Sequence, residues 1–284
     1  LAAHGLRRST LRHRTNLHEW HSRCRKALRA LLALLCRILV SVKMSTFYST
    51  KSAKSGATFR RASGIFPAGV SYGVRGWEPY PFYVARASGS KLIDVDGNEY
   101  TDFWCVHLSA ILGHCYPKVV EAVKKHAEMG LNYGLEHEHE IEHAELIRKH
   151  MPSMEMMRFT SSGTEANMYA IRLARTYTKR ATIAKFEGNW HGGYDGLHYA
   201  IKPPLDETPS GGLTPGVIND LLVLPYNDLE ETRRKMRRKN LACVEVEPVM
   251  GAGGIVPADR EFLKGLRELC DETGTLLIFD EVIT

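Results

Sequence analysis

Four short stretches hold residue types whose spacing could do chemistry. Ser161-Ser162-Gly163-Thr164-Glu165 lies between an apolar run and a helical pattern. Ser162, three residues ahead of Glu165, makes a capping box that satisfies free backbone N–H groups at a helix start. The same N–H groups and the helix dipole attract an anion, Gly163 lets the backbone approach it, and the hydroxyls of Ser162 and Thr164 add donors. Both readings fit these five residues. In "FEGNWHGGYD" (186–195), Trp190 and His191 sit among three glycines. Trp190 could stack on a flat ring and His191 could hydrogen-bond or stack; an aromatic anchor for a loop fits equally well.

"LLIFDEV" (276–282) places Asp280 behind four apolar residues. A carboxylate at the end of a buried strand is costly unless it meets a cation or a donor. A protonated pyridine nitrogen would be such a partner, and an ionised Asp would keep that nitrogen protonated. A helix cap or a structural ion pair is the plainer alternative. "EHEHEIEH" (136–143) spaces His139 and His143 four apart, but the H-E-x-x-H order is not met. Interleaved Glu and His read as a solvated helix face, and no metal site is expected.

The elements that would position these residues alternate. Strands are predicted at 157–160, 182–187, 242–247 and 275–280, and helices at 165–178, 228–239 and 259–273. Strands alternating with helices imply an α/β domain with a mostly parallel sheet. Ligands of such sheets bind beyond the carboxyl ends of the strands, which selects Ser161 to Thr164, Glu187 to His191, Glu247 and Asp280. Upstream, 64–90 reads as irregular but packed chain, and "KLIDVDGNEYTDFW" as a hairpin turning at Asp96-Gly97-Asn98. Helices are predicted over 116–129 and 139–151.

Bulk composition narrows the class. The chain has 284 residues, 44% hydrophobic and 25% charged, as a globular protein of one large or two modest domains would. Its net charge of +6 is uneven. Residues 1–43 carry ten Lys/Arg against Glu19, a balance of +9, which leaves −3 for the remainder. A mildly acidic folded part does not support a nucleic-acid partner. The apolar run within 1–43 is broken by Arg29 and Arg37 and is too short for a confident membrane span. This basic stretch reads as upstream sequence ahead of Met44, with organelle targeting as the second reading. The six cysteines form no C-x-x-C pair, which points to reduced, cytoplasmic usage. The expected organisation is therefore 1–43 set apart, 44–130 as N-terminal arm and hairpin, and 131–284 as the ligand-binding domain. The chain ends just behind an interior-looking strand, so it reads as truncated.

Taken together, "FPAGVSYGVR", "DVDGNEYTDF", "LGHCYP", "SSGTEANMYAIRLAR", "KFEGNWHGGYD", "LPYND", "VEPVMGAGG" and "LLIFDEVIT" resemble the class III aminotransferases. The likeness is greatest to the branch of glutamate-1-semialdehyde 2,1-aminomutase and its relatives. The resemblance implies the pyridoxal-phosphate-dependent transferase fold type I, a three-layer αβα domain, here incomplete and without the small C-terminal domain. It implies pyridoxal 5'-phosphate as cofactor, an amino donor and an oxo acceptor as substrates, and a homodimer. By position, Ser162, Gly163 and Thr164 match the phosphate cradle, Trp190 the ring-stacking residue, and Asp280 the partner of the pyridine nitrogen. Val282 would pack on the opposite ring face, with His191 and Glu247 beside the cofactor. Arg75 matches an arginine for a substrate carboxylate, and His107 stands where the aminomutase pocket has tryptophan. Ala252 replaces an asparagine near the ring hydroxyl. The family's Schiff-base lysine lies past the "DEV" strand and is absent from the chain, so this fragment is expected to be inactive alone. The activity implied is amino-group transfer between an amino compound and an oxo acid or aldehyde. The aminomutase reaction and a non-catalytic cofactor-fold protein are the alternatives.

Overall fold

The computed structural model describes residues 46–205 and 211–284, and the basic stretch 1–43 lies outside them. The chain divides into two compact units, Leu1–Leu131 and Asn132–Thr284. In the first, a helix α1 (Ala53–Ser63) precedes a three-stranded antiparallel sheet of β1 (Val84–Ser88), β2 (Lys91–Asp94) and β3 (Glu99–Thr101), followed by α2 (Pro117–Ala127). The β2–β3 turn falls where the sequence places it. Asp94 accepts hydrogen bonds from the backbone N–H groups of Asp96 and Asn98 and from the Tyr100 hydroxyl, and Gly97 has φ 92°. Asp96 in turn accepts from the N–H groups of Lys54 and Ser55, which ties the turn to the start of α1.

The second unit opens with α3 (Glu138–His150) and α4 (Gly163–Thr178), then alternates: β4 (Thr182–Phe186), α5 (Pro215–Asn219), β5 (Leu221–Leu224), α6 (Leu229–Met236), β6 (Leu241–Val246), α7 (Arg260–Thr273), β9 (Leu276–Phe279). A small antiparallel pair, β7 (Val249–Met250) and β8 (Val256–Pro257), interrupts the series after β6. The four main strands form one parallel sheet in the order β5-β4-β6-β9. Both faces are covered, as parallel sheets require. On one face Ala184, Phe186, Val244 and Val246 pack with Met236 of α6 and Phe262, Leu266 and Leu269 of α7. On the other, Ile183 and Cys243 pack with Ile171 and Ala174 of α4.

Three expectations change. Within 64–90, read as irregular chain, Val84–Ser88 forms β1, because β2 lies beside it and takes its ladder hydrogen bonds. The strand predicted at 157–160 does not form. Phe159 is about half exposed and its ring stacks on His143 of α3, and the stretch joins no described ladder. An apolar run becomes a strand only where a neighbour takes its hydrogen bonds. Leu221–Leu224, not predicted as a strand, is one, because β4 lies beside it in register from Ile183↔Leu221 to Phe186↔Leu224. Among the described residues no helix is long and apolar enough to cross a membrane.

Candidate functional site

The site is assembled at the carboxyl ends of β4, β6 and β9, beside the start of α4. Ser162 is the N-cap of α4: its Oγ accepts the Glu165 N–H at 3.2 Å, and Glu165 Oε2 reaches back to the Ser161 N–H at 2.8 Å. The capping box is real, and it leaves the N–H groups of Gly163 and Thr164 with no intrahelical partner. The loop after β4 closes on this end. The Gly193 N–H donates to Thr164 Oγ1 at 3.2 Å, and Gly192, at φ 83°, lies so close that an added Cβ would sit 2.0 Å from that same oxygen. A Cβ on Gly163 would sit 2.8 Å from Val282 Cγ2. Glycine at 163 and 192 is what lets the β4 loop, the start of α4 and the chain after β9 meet.

Asp280 is 7% exposed and heavily partnered. Its Oδ2 accepts from His191 Nδ1 at 2.8 Å and from Asn167 Nδ2 at 2.9 Å, and its Oδ1 accepts from the Val282 N–H at 3.1 Å. Its own N–H donates to the Val246 carbonyl, fixing it one residue beyond β9. Burial alone would raise its pKa, but the hydrogen bonds from His191, the Val282 N–H and Asn167 outweigh that and hold it below the ordinary aspartate value. Burial keeps His191 below the ordinary histidine value despite the pull of Asp280, with the Lys185 charge acting in the same direction as burial. The pair is therefore a neutral imidazole donating to a carboxylate. His191 Nε2 is buried without a partner.

Glu247 is also buried, and it is spent on backbone. Its Oε2 accepts the Trp190 N–H at 2.8 Å and its Oε1 the Gly251 N–H at 3.1 Å. Burial raises its pKa, with those two hydrogen bonds opposing the shift. Trp190, held through its backbone, is 40% exposed, and its ring stands edge-on to His198. Val282 is exposed.

Three participants were not singled out from sequence: Asn167, Lys185 and Glu245. Lys185 is fully buried, and its Nζ donates to the carbonyls of Asn189 (2.7 Å), Tyr199 (2.8 Å) and Leu197 (3.2 Å), so it pins both ends of the loop carrying Trp190 and His191. Burial lowers its pKa to about 8. Glu245 is its register partner on β6. A charged residue amid strand-long apolar sequence was the available signal, in "TIAKF" and "ACVEV" alike.

Arg75 and His107 belong to the first unit. Arg75 closes a short 3-10 turn, with its guanidinium 5.7 Å from the Tyr72 ring centroid, and His107 lies 5.7 Å from the same ring and 4.6 Å from Trp104. Tyr72 thus brings the two together. His107 sits in a left-handed turn, Cys105 to Leu108, with φ between 48° and 68°. Such a turn costs non-glycine residues roughly 1–2 kcal/mol each. His139 pairs with Glu142 at 2.8 Å on the exposed face of α3.

Comparison with known proteins gives this geometry a family. The sequence profile described as "Aminotransferase class-III" matches residues 72–284, which include every candidate site residue named above. The chain belongs to the class-III aminotransferases. Among curated relatives, glutamate-1-semialdehyde 2,1-aminomutase of Ignicoccus hospitalis is 46% identical over 232 residues, 80% of this chain and 55% of that protein. A solved structure described as "Transaminase with PLP bound" superposes with a TM-score of 0.78 at 39% identity, over 81% of this chain and 55% of the other. The β-phenylalanine aminotransferase of Variovorax paradoxus superposes with a TM-score of 0.77 at 34% identity, over 86% and 54%. The class-III chain thus has the pyridoxal-phosphate-dependent transferase fold type I, and it spans about half the length of the relatives it matches.

Proposed function

We propose that this site holds pyridoxal 5'-phosphate and that the protein transfers an amino group between an amino compound and an oxo acid or aldehyde. The observation that carries the reading is Asp280. It is a buried carboxylate held by three donors at the carboxyl end of a parallel sheet, one of them Asn167 of α4, the helix whose Gly163 and Thr164 N–H groups have no intrahelical partner. The residues fit the cofactor at both of its charged ends. Ser162, Gly163 and Thr164 would take the phosphate through backbone N–H groups and hydroxyls. Asp280 would hold a proton on the ring nitrogen, and Trp190 and Val282 would border the ring. Bound there, the cofactor supplies an electron sink for charge developing at the substrate carbon.

The protein's own groups then have separable tasks. His191 orients Asp280 and stays neutral, so a single negative charge faces the nitrogen. Glu247 fixes the backbone of Trp190 and Gly251, which acts on the ring only through position. Arg75, over Tyr72, would take a substrate carboxylate, with His107 beside it. Lys185 is occupied by three carbonyls and Lys264 pairs with Glu261 on the surface of α7, so neither is placed to hold the cofactor covalently. The reading leaves that task to another lysine. A homodimer and a cytoplasmic location are part of the same reading.

Aminomutase activity is the second reading, favoured by the 46% identity to such an enzyme. Ala252 and His107, which depart from the aminomutase pattern, favour intermolecular transfer. The test is an amine-donor screen on the intact protein. Transfer that requires an external donor supports the proposal, and efficient conversion of glutamate semialdehyde without one contradicts it.

A further inference from the structure

Glu245 is anomalous. It lies in the middle of the sheet on β6, is 0% exposed, and neither carboxyl oxygen has a hydrogen-bond partner. Its neighbours are all accounted for. From β4, Lys185 gives its three donors to loop carbonyls. From the β4 loop, His191 Nδ1 lies 3.4 Å from Glu245 Oε1 but donates to Asp280 at 2.8 Å. Beyond β9 stands Asp280, and His191, Glu245 and Asp280 each place a ligand-type atom within 4.8 Å of the others. Along β6, Cys243 shares its face and Glu247 follows it; α4 presents Asn167, which donates to Asp280, and the apolar Ile171 and Ala174.

Two carboxyl groups this close and this buried cannot both ionise cheaply. The donors decide which one does: Asp280 has three and Glu245 none. We propose that Glu245 is a second carboxyl of the site, carried as the neutral acid, and that its proton sets the negative charge experienced by Asp280 and by a ring nitrogen bound against it. It is a positioning residue acting through Asp280. The absence of a partner also explains why the proton stays: burial, reinforced by the Asp280 charge, pushes Glu245 up to about 8, with Lys185 pulling the other way. The part of this inference that concerns the ring nitrogen rests on the proposed function, and the part that concerns Glu245 itself does not.

Carboxyl-edited infrared difference spectroscopy on the intact protein without cofactor tests it. The expected result is a neutral carboxyl C=O band in mildly acidic and neutral solution that disappears on titration through about pH 8. It should be absent from E245Q and from E245M, whose apolar side chain suits a buried strand, and present in D280N. A band that persists in E245Q but vanishes in D280N would overturn the proposal, as would no band at all. A stoichiometric divalent cation released by chelator would also overturn it, by showing that a metal and not a proton neutralises the carboxyls. With pyridoxal 5'-phosphate added, E245Q should lack an alkaline absorbance step shown by the wild type, a difference that a purely structural role would not produce. Failure to bind the cofactor in either protein sinks the proposed function while the infrared result still decides Glu245.

Discussion

His191 Nδ1 stands 2.8 Å from Asp280 Oδ2, across 89 residues of sequence, and both groups are buried. This pair joins the loop after β4 to the end of β9. It lets one strand end present a charge whose orientation is set by another.

Asp280 is the charge that the ring nitrogen would meet. D280N keeps the shape and removes the charge. It should weaken retention of pyridoxamine 5'-phosphate by about 10- to 100-fold, the worth of a hydrogen bond to a charged group. Isothermal titration of wild type and variant checks this.

His191 supports that charge. Because the folded pKa of Asp280 lies below its unfolded value, the carboxylate contributes stability above about pH 4 that is lost as the pH falls through the folded value. H191F removes a donor and should cost about 2–3 kcal/mol at neutral pH. It should also flatten the acid limb attributable to Asp280. Denaturation midpoints of both proteins across the acid range measure the difference.

Lys185 binds the loop to the sheet floor. K185M strands three carbonyls and should cost about 2–4 kcal/mol, with faster amide exchange confined first to 187–199. The amine's folded pKa of about 8 lies below its unfolded value, so between about 8 and about 10.4 the unfolded chain binds more protons. Wild-type stability should therefore gain a rising contribution across that window, and K185M should lack it.

The two close-approach glycines should differ. G192A meets a backbone conformation at φ 83° and a Cβ position 2.0 Å from Thr164 Oγ1, with Thr164 backbone at 2.9 Å. G163A meets only the end of the exposed Val282 side chain at 2.8 Å. G192A should therefore lose about 1–3 kcal/mol and G163A less, by thermal denaturation.

Legibility followed the range of the forces involved. Capping at Ser162 and the Asp94–Asn98 turn are local, so their residues announce them. The parallel sheet showed through β4, β6 and β9, whose apolar runs are long and bounded. Residues 157–160 are equally strand-like in sequence, yet a ladder needs a neighbour that sequence cannot supply, and β5 is illegible for the same reason in reverse. Asp280 is legible because a buried carboxylate at a strand end must meet a cation or a donor. Glu245 would have answered to the same question, but its nearness to Asp280 comes from the register of β6 on β9, where Glu245 opposes Ile278. The link between Glu247 and Trp190 is likewise a matter of tertiary geometry.

The most direct measurement is a crystal structure of the intact protein with pyridoxamine 5'-phosphate. The account predicts the ring nitrogen within hydrogen-bond distance of the Asp280 carboxylate, the ring beside Trp190, and the phosphate on the N–H groups of Gly163 and Thr164. A ligand whose nitrogen faces away from Asp280, or whose phosphate sits anywhere but the start of α4, would contradict it.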